Sequence, residues 1–144
     1  MATTILLVDD EKAFVDALSE RLERRDLDVI AAYSGREALQ KLGENNSIDI
    51  VILDVSMPEM DGITTLKEIK KEFPLVEVVM LTGHATVKSA INGMKLGAID
   101  YLMKPCDIDQ LMEKIKEAKS KKDRHEQKII DAHMKEIISR KSWD

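Results

Sequence analysis

Short apolar runs alternate with helix-period patterns five times over, and this constrains the chain more than any other feature. Thr4–Val8 reads as a buried strand, after which Phe14, Ala17, Leu18 and Leu22 recur at helical spacing. Asp28–Ala32 is a second short strand; Ser34 with Glu37 three residues later forms a capping box opening a helix that should end near Gly43. Residues 48–53, IDIVIL, give the strongest strand signal, β-branched and almost wholly apolar. After the MPEMDG turn, Asp61 can cap a helix carrying Ile63, Leu66 and Ile69. Residues 76–81 read as a fourth strand. Val87, Ala90, Ile91 and Met94 give the next helical face, ended by Gly97. Residues 99–103 are a fifth strand, and Ile108, Leu111, Met112 and Ile115 open a fifth helix. Strand then helix, repeated, predicts an α/β fold with a doubly wound parallel sheet covered by helices on both faces.

Composition narrows the function. A chain of 144 residues, 44% hydrophobic and 34% charged, suits one domain with a real core, and 3% aromatics make that core aliphatic. The net charge of −5, with only a modest basic cluster near residue 121, argues against direct nucleic-acid binding. Cys106 is the single cysteine, so no internal disulfide forms, which fits a reducing cytoplasm. The apolar runs are far too short to span a membrane, and MATT lacks the basic start of a signal peptide.

In a doubly wound sheet the site lies beyond the carboxyl ends of the strands. Strand one ends at Asp9 and Asp10, strand three at Asp54, strand four at Thr82 and strand five at Lys104, followed by Pro105. In the flavodoxin-like order 2-1-3-4-5 the first and third strands are neighbours, which gathers the acids. Carboxylates so close do not all ionise without a cation, and Mg²⁺ with oxygen ligands suits a shallow site. A metal beside an aspartate, with a Lys and a Thr opposite, is what phosphoryl transfer requires, and an aspartate can itself be the nucleophile.

The segments ILLVDDE, VILDVSMPEMDG, VVMLTGHA and GAIDYLMKP together resemble the receiver domain of bacterial two-component response regulators, over roughly residues 3–120. The resemblance implies that Asp54 is the phospho-acceptor. It implies that Asp10, Asp54 and the Ser56 backbone carbonyl bind Mg²⁺, with Asp9 reaching it through water. Thr82 and Lys104 would contact the phosphoryl oxygens, Tyr101 would be the switch aromatic, and the Lys104–Pro105 bond would be cis. The partner implied is a sensor histidine kinase or a histidine phosphotransfer protein. The segment from Gly83 to Asp107 is similar to receivers of sigma-54-dependent activators.

Blander readings stand beside these. Asp9 and Asp10 could simply cap a helix, Thr82-Gly83 could be turn chemistry, and Tyr101 could merely pack. His84 reads as an exposed loop residue tuning water access, and Cys106 as a small packing residue. Two rival functions exist. A haloacid-dehalogenase-like phosphatase also uses an Asp nucleophile and Mg²⁺, but wants a second acid two residues on, where this chain has Ser56. A degenerate receiver that only binds partners would normally lack one of Asp54, Thr82 or Lys104.

Residues 1–120 are therefore expected to form the receiver and residues 121–144 a helical C-terminal extension. Residues 119–128 hold no aliphatic side chain, after which Ile129, Ile130, Met134, Ile137 and Ile138 return at helical spacing. Eight Lys or Arg against five Asp or Glu give residues 119–144 a net +3, leaving −8 for the remainder. The bland reading is a solvated linker with a disordered end. The sharper one is an extended fifth helix whose apolar stripe meets a partner or a second copy; helix four, strand five and helix five offer another dimer face.

Overall fold

The computed structural model describes residues 2–55, 62–83 and 87–141. Over them the order is β1 (Thr4–Val8), α1 (Lys12–Glu23), β2 (Asp28–Ala32), α2 (Gly35–Glu44), β3 (Ile50–Leu53), α3 (Gly62–Glu72), β4 (Glu77–Thr82), α4 (Val87–Lys95), β5 (Asp100–Met103) and α5 (Ile108–Lys141). The strands form one parallel sheet in the order β2-β1-β3-β4-β5.

The two-residue period of the strands splits the core in two. Ile5, Leu7, Ile50, Ile52, Val79 and Leu81 face Val15, Leu18 and Leu22 of α1 and Leu111, Ile115 and Ala118 of α5. Leu6, Val8, Val51, Leu53, Val78 and Met80 face Ala38 and Leu42 of α2 and Leu66 and Ile69 of α3. Each fully buried aliphatic contributes about 2 kcal/mol, and a strand apolar on both faces can sit only in such a sandwich.

Several local expectations hold. Ser34 Oγ accepts from the Glu37 amide at 3.1 Å, while Glu37 Oε2 reaches back to the Tyr33 amide at 3.1 Å, one residue before the cap. Gly97 closes the turn after α4 at φ +108°. Others shift. α2 runs through Gly43 and ends at Asn45, whose side-chain amide donates to the Lys41 carbonyl at 2.9 Å. β3 starts at Ile50, because Asp49 turns its carboxylate to the Thr4 amide at 2.9 Å.

The face expected for α4 is not the buried one. Ile91 and Met94 are about half exposed, and Gly93 is the residue turned inward, where an added Cβ would run into the Met80 side chain. The helix approaches the sheet on that glycine, and its larger neighbours rotate outward. α5 is the largest departure from a bland tail. It continues as one helix of 34 residues to Lys141, so the polar stretch after residue 118 is helical. Lys119–Asp123 at 3.0 Å, Lys122–Glu126 at 2.7 Å and Gln127–Asp131 at 2.9 Å bridge successive turns across it. Among the described residues no helix is long and apolar enough to cross a membrane.

Candidate functional site

The parallel register builds the site. Val8 pairs with Leu53, so the next residue on each strand, Asp9 and Asp54, emerges side by side at the carboxyl edge. The Asp54 amide donates to the Val8 carbonyl at 3.0 Å, and the Asp9 amide to Ala32 at 3.1 Å. On the other side Thr82 pairs with Met103, and the Lys104 amide donates to the Thr82 carbonyl at 3.0 Å. Four strand ends thus place two acids, a hydroxyl and an ammonium at one level. Gly62 makes room for this edge: an added Cβ there would overlap Val55 Cα and lie 2.5 Å from the Asp54 carbonyl oxygen.

Asp9, Asp54 and Thr82 are almost wholly buried. Lys104 Nζ lies 2.5 Å from Asp9 Oδ2, 3.3 Å from Glu11 Oε1 and 3.5 Å from Asp54 Oδ2, with its cation 4.2 Å from the centre of the Phe14 ring. Asp9 Oδ1 accepts from the Glu11 amide at 3.0 Å, which makes Asp9 the local turn former at the start of α1 as well as a site acid. Glu11 occupies the N-cap position without a side-chain cap bond.

The charge balance is unfavourable. Burial pushes the Asp9 carboxyl above its usual range, and Asp54 adds to this, against the lowering effect of Lys104 and of the Glu11 amide. Burial opposes the Lys104 ammonium, but Asp9 and Asp54 outweigh it and hold Lys104 above its usual value. Among the described residues, Lys104 is shared by three carboxylates, and Asp9, Glu11 and Asp54 each bring an oxygen within 4.8 Å of the others. An oxygen-only donor set with surplus negative charge fits a hard divalent cation.

Of the residues singled out from the sequence, the structure gathers Asp9, Asp54, Thr82 and Lys104. Asp10 is exposed beside them, outside the three-acid group. Tyr101 is half-buried against the α2–α3 face of the core, its hydroxyl 3.4 Å from Met103 Sδ. The Lys104–Pro105 bond is cis. Ser56, Asp61, most of the MPEMDG turn and His84 lie outside the described residues. Sequence reasoning missed Glu11 as a third acid and Phe14 as the aromatic under Lys104. Glu11 stood in plain view after two aspartates; Phe14 read only as part of a helical stripe.

The chain matches the response regulator receiver domain over residues 5–116. It belongs to that family. The receiver is 42% identical over 114 residues to the transcriptional regulatory protein ZraR of Salmonella typhimurium, covering 79% of this chain and 26% of that protein. It is 46% identical over 112 residues to the CpxR homolog of Haemophilus influenzae, covering 78% of this chain and 48% of that one. The chain therefore spans between about a quarter and a half of the length of these relatives. Among solved structures, a CheY-like receiver domain protein from Methanospirillum hungatei superposes with a TM-score of 0.81 at 31% identity, over 87% of this chain and 99% of that one. A receiver domain protein from Clostridium thermocellum gives 0.80 at 40% identity, over 84% and 97%.

Proposed function

We propose that this receiver is a phosphorylation-dependent signalling switch in which Asp54 accepts a phosphoryl group from a phosphohistidine. The observation that carries the reading is the convergence of Asp9, Asp54, Thr82 and Lys104 on one strand edge. A carboxylate oxygen of Asp54 attacks phosphorus, forming an O–P bond. The N–P bond of the donor breaks, and its electron pair stays on the imidazole nitrogen, which then takes up a proton. Lys104, already poised within an ion pair's reach of Asp54, shifts from Asp9 toward the incoming phosphoryl oxygens. The Thr82 hydroxyl donates to the same oxygens from the neighbouring strand. Water later attacks phosphorus, the Asp54 O–P bond breaks and inorganic phosphate leaves, restoring the Asp54 carboxylate, so the chain catalyses its own slow reset rather than turning over a free substrate.

Mg²⁺ bound here would neutralise the acids and the transferring phosphoryl group. Asp9, Asp54 and the contiguous Asp10 and Glu11 would supply carboxylates for it, with the Ser56 carbonyl as the further ligand that the family resemblance implies. The donor is a sensor histidine kinase or a histidine phosphotransfer protein, in the cytoplasm. Output is a population shift: Thr82 moves with the phosphoryl group, Tyr101 follows it inward, and the face of α4, β5 and α5 changes. Ile91, Met94 and Met103 are exposed there, ready for an output partner.

Mass spectrometry after incubation with acetyl phosphate and Mg²⁺ tests this. One phosphoryl group per chain, mapped to Asp54 and absent from Asp54→Asn, is the expected result. Undiminished labelling of Asp54→Asn overturns the assignment, and multiple turnover of p-nitrophenyl phosphate would favour the phosphatase instead.

A further inference from the structure

The ammonium of Lys104 rests against three acids and one aromatic ring. Asp9 Oδ2 lies 2.5 Å from Nζ, Glu11 Oε1 3.3 Å and Asp54 Oδ2 3.5 Å, while Phe14 presents its ring face with the centre 4.2 Å away. Phe14 is the third residue of α1, just beyond the turn that Asp9 forms with the Glu11 amide, and it packs at the border of the core. The helix start and the packing therefore set where the ring stands, independently of the ammonium.

Acids and ring pull on the cation in different ways. A carboxylate binds through a directed N–H donor, and an ammonium has three of them. Phosphoryl transfer to Asp54 needs those donors, because Lys104 has to leave Asp9 and turn toward the incoming oxygens. A ring face attracts the cation as a whole through its quadrupole. It can hold the ammonium while the donors change partners. Glu11 cannot do this: it is 67% exposed, so water screens it, and any pull toward it draws the ammonium outward. The Lys104 side chain is only 13% exposed, which puts the ring contact in the desolvated range where such contacts are strongest. The ring also has room to follow the cation. Beside it lies a hollow of about 150 Å³, lined by Phe14, Ala17, Leu18, Arg21, Pro105 and Cys106.

With Asp54 as the phospho-acceptor, a reading on which this one rests, we propose that Phe14 is the positioning residue of Lys104. Its ring face steadies the ammonium as it passes from Asp9 to the phosphoryl oxygens, and so sets how fast Asp54 is phosphorylated. Phe14 acts through Lys104 alone.

A time course of labelling of the full chain by acetyl phosphate and Mg²⁺ tests it, since a small donor leaves out any contact of Phe14 with a protein partner. Phe14→Leu keeps an apolar side chain but loses the ring face. It should slow labelling by about tenfold, within the roughly threefold to thirtyfold that the strength of such contacts implies. Phe14→Tyr, which keeps the face, should restore most of the rate. Mono-, di- and trifluorophenylalanine in place of Phe14 give a readout that packing does not move, because fluorine drains charge from the ring face and leaves its shape nearly unchanged. Labelling should slow with each added fluorine until the trifluoro ring approaches Phe14→Leu. In nuclear magnetic resonance spectra of the unphosphorylated chain, the ring should shift the Lys104 ε-methylene protons upfield, and Phe14→Leu should remove that shift. A wild type labelled at Asp54 with Phe14→Leu equally fast overturns the proposal, as does a fluorine series without a trend or an unshifted Lys104 in the wild type. A wild type that is not labelled at all overturns the phospho-acceptor reading itself, and this proposal with it.

Discussion

The two edges of one sheet handle buried carboxylates in opposite ways. At the carboxyl edge, Asp9, Glu11 and Asp54 share Lys104, and burial drives the Asp9 carboxyl upward. At the amino edge, Asp49 is almost as deeply buried, yet its carboxyl is lowered. Burial is outweighed there by the Thr4 amide, Lys122 and Lys119. Glu77 beside it is different: Lys121 is 3.6 Å away, beyond hydrogen-bond reach, and neither of its buried oxygens has a hydrogen-bond partner among the described residues, though its charge also acts on Lys70. At the amino edge Asp49 alone draws two lysines, Lys119 and Lys122, while at the carboxyl edge Lys104 is shared by three acids. A buried charge that is satisfied in place belongs to the architecture; one left short of a counter-charge is poised to take one up.

Substitutions sharpen that contrast, the strongest first. Asp54→Asn should abolish phosphoryl labelling completely while leaving the apo chain as stable to urea or slightly more so, because the shape is kept and a buried like charge is removed. At the amino edge Asp49→Ala should cost about 2–3 kcal/mol by the same measurement, since Lys122 and the Thr4 amide are left without their acceptor. The sign reverses at the other edge: Asp9→Asn should stabilise the apo chain by about 1 kcal/mol, because a buried like charge is removed. Equal losses from Asp49→Ala and Asp9→Asn would erase the distinction between the edges.

The smallest effect is a difference in pH dependence. Asp9 has a folded pKa above its unfolded one, so the folded state holds the proton more tightly. Its contribution disfavours folding at neutral pH and is relieved as pH falls through the folded and then the unfolded value. Asp49 has a folded pKa below its unfolded one. Its contribution is full above the unfolded value and is lost as pH falls through the folded one. Denaturation midpoints from neutral pH down to the carboxylate range should therefore fall less steeply in Asp49→Asn than in the wild type, and more steeply in Asp9→Asn.

The carboxyl edge was legible in the sequence and the amino edge was not, for a physical reason. Strands that are apolar on both faces announce their ends, so Asp9, Asp54, Thr82 and Lys104 stood out as polar residues where a buried strand stops. Parallel pairing then left one way to bring them together. Asp49 and Glu77 sit inside or against the same apolar runs and read as interruptions. Their partners lie about 70 residues away for Asp49 and on a helix whose continuation past residue 118 no local pattern required. The lysines of residues 119–122 gave no sign of their partners even on the helical extension expected there, because their acceptors come from other strands. The α4 face was misjudged because a close approach through Gly93 leaves no apolar signature.

Thermal unfolding against Mg²⁺ concentration tests the contrast most directly. In the wild type and in Asp49→Asn the midpoint should rise steadily with Mg²⁺, by ligand linkage worth about 2.7 kcal/mol at a hundred times the dissociation constant. In Asp9→Asn and Asp54→Asn most of that rise should vanish, because the acids that call for the cation are gone. Coincident midpoints with and without Mg²⁺ in the wild type, or a rise undiminished in both carboxyl-edge variants, would contradict the reading of that edge as a cation-seeking phosphoryl-transfer site.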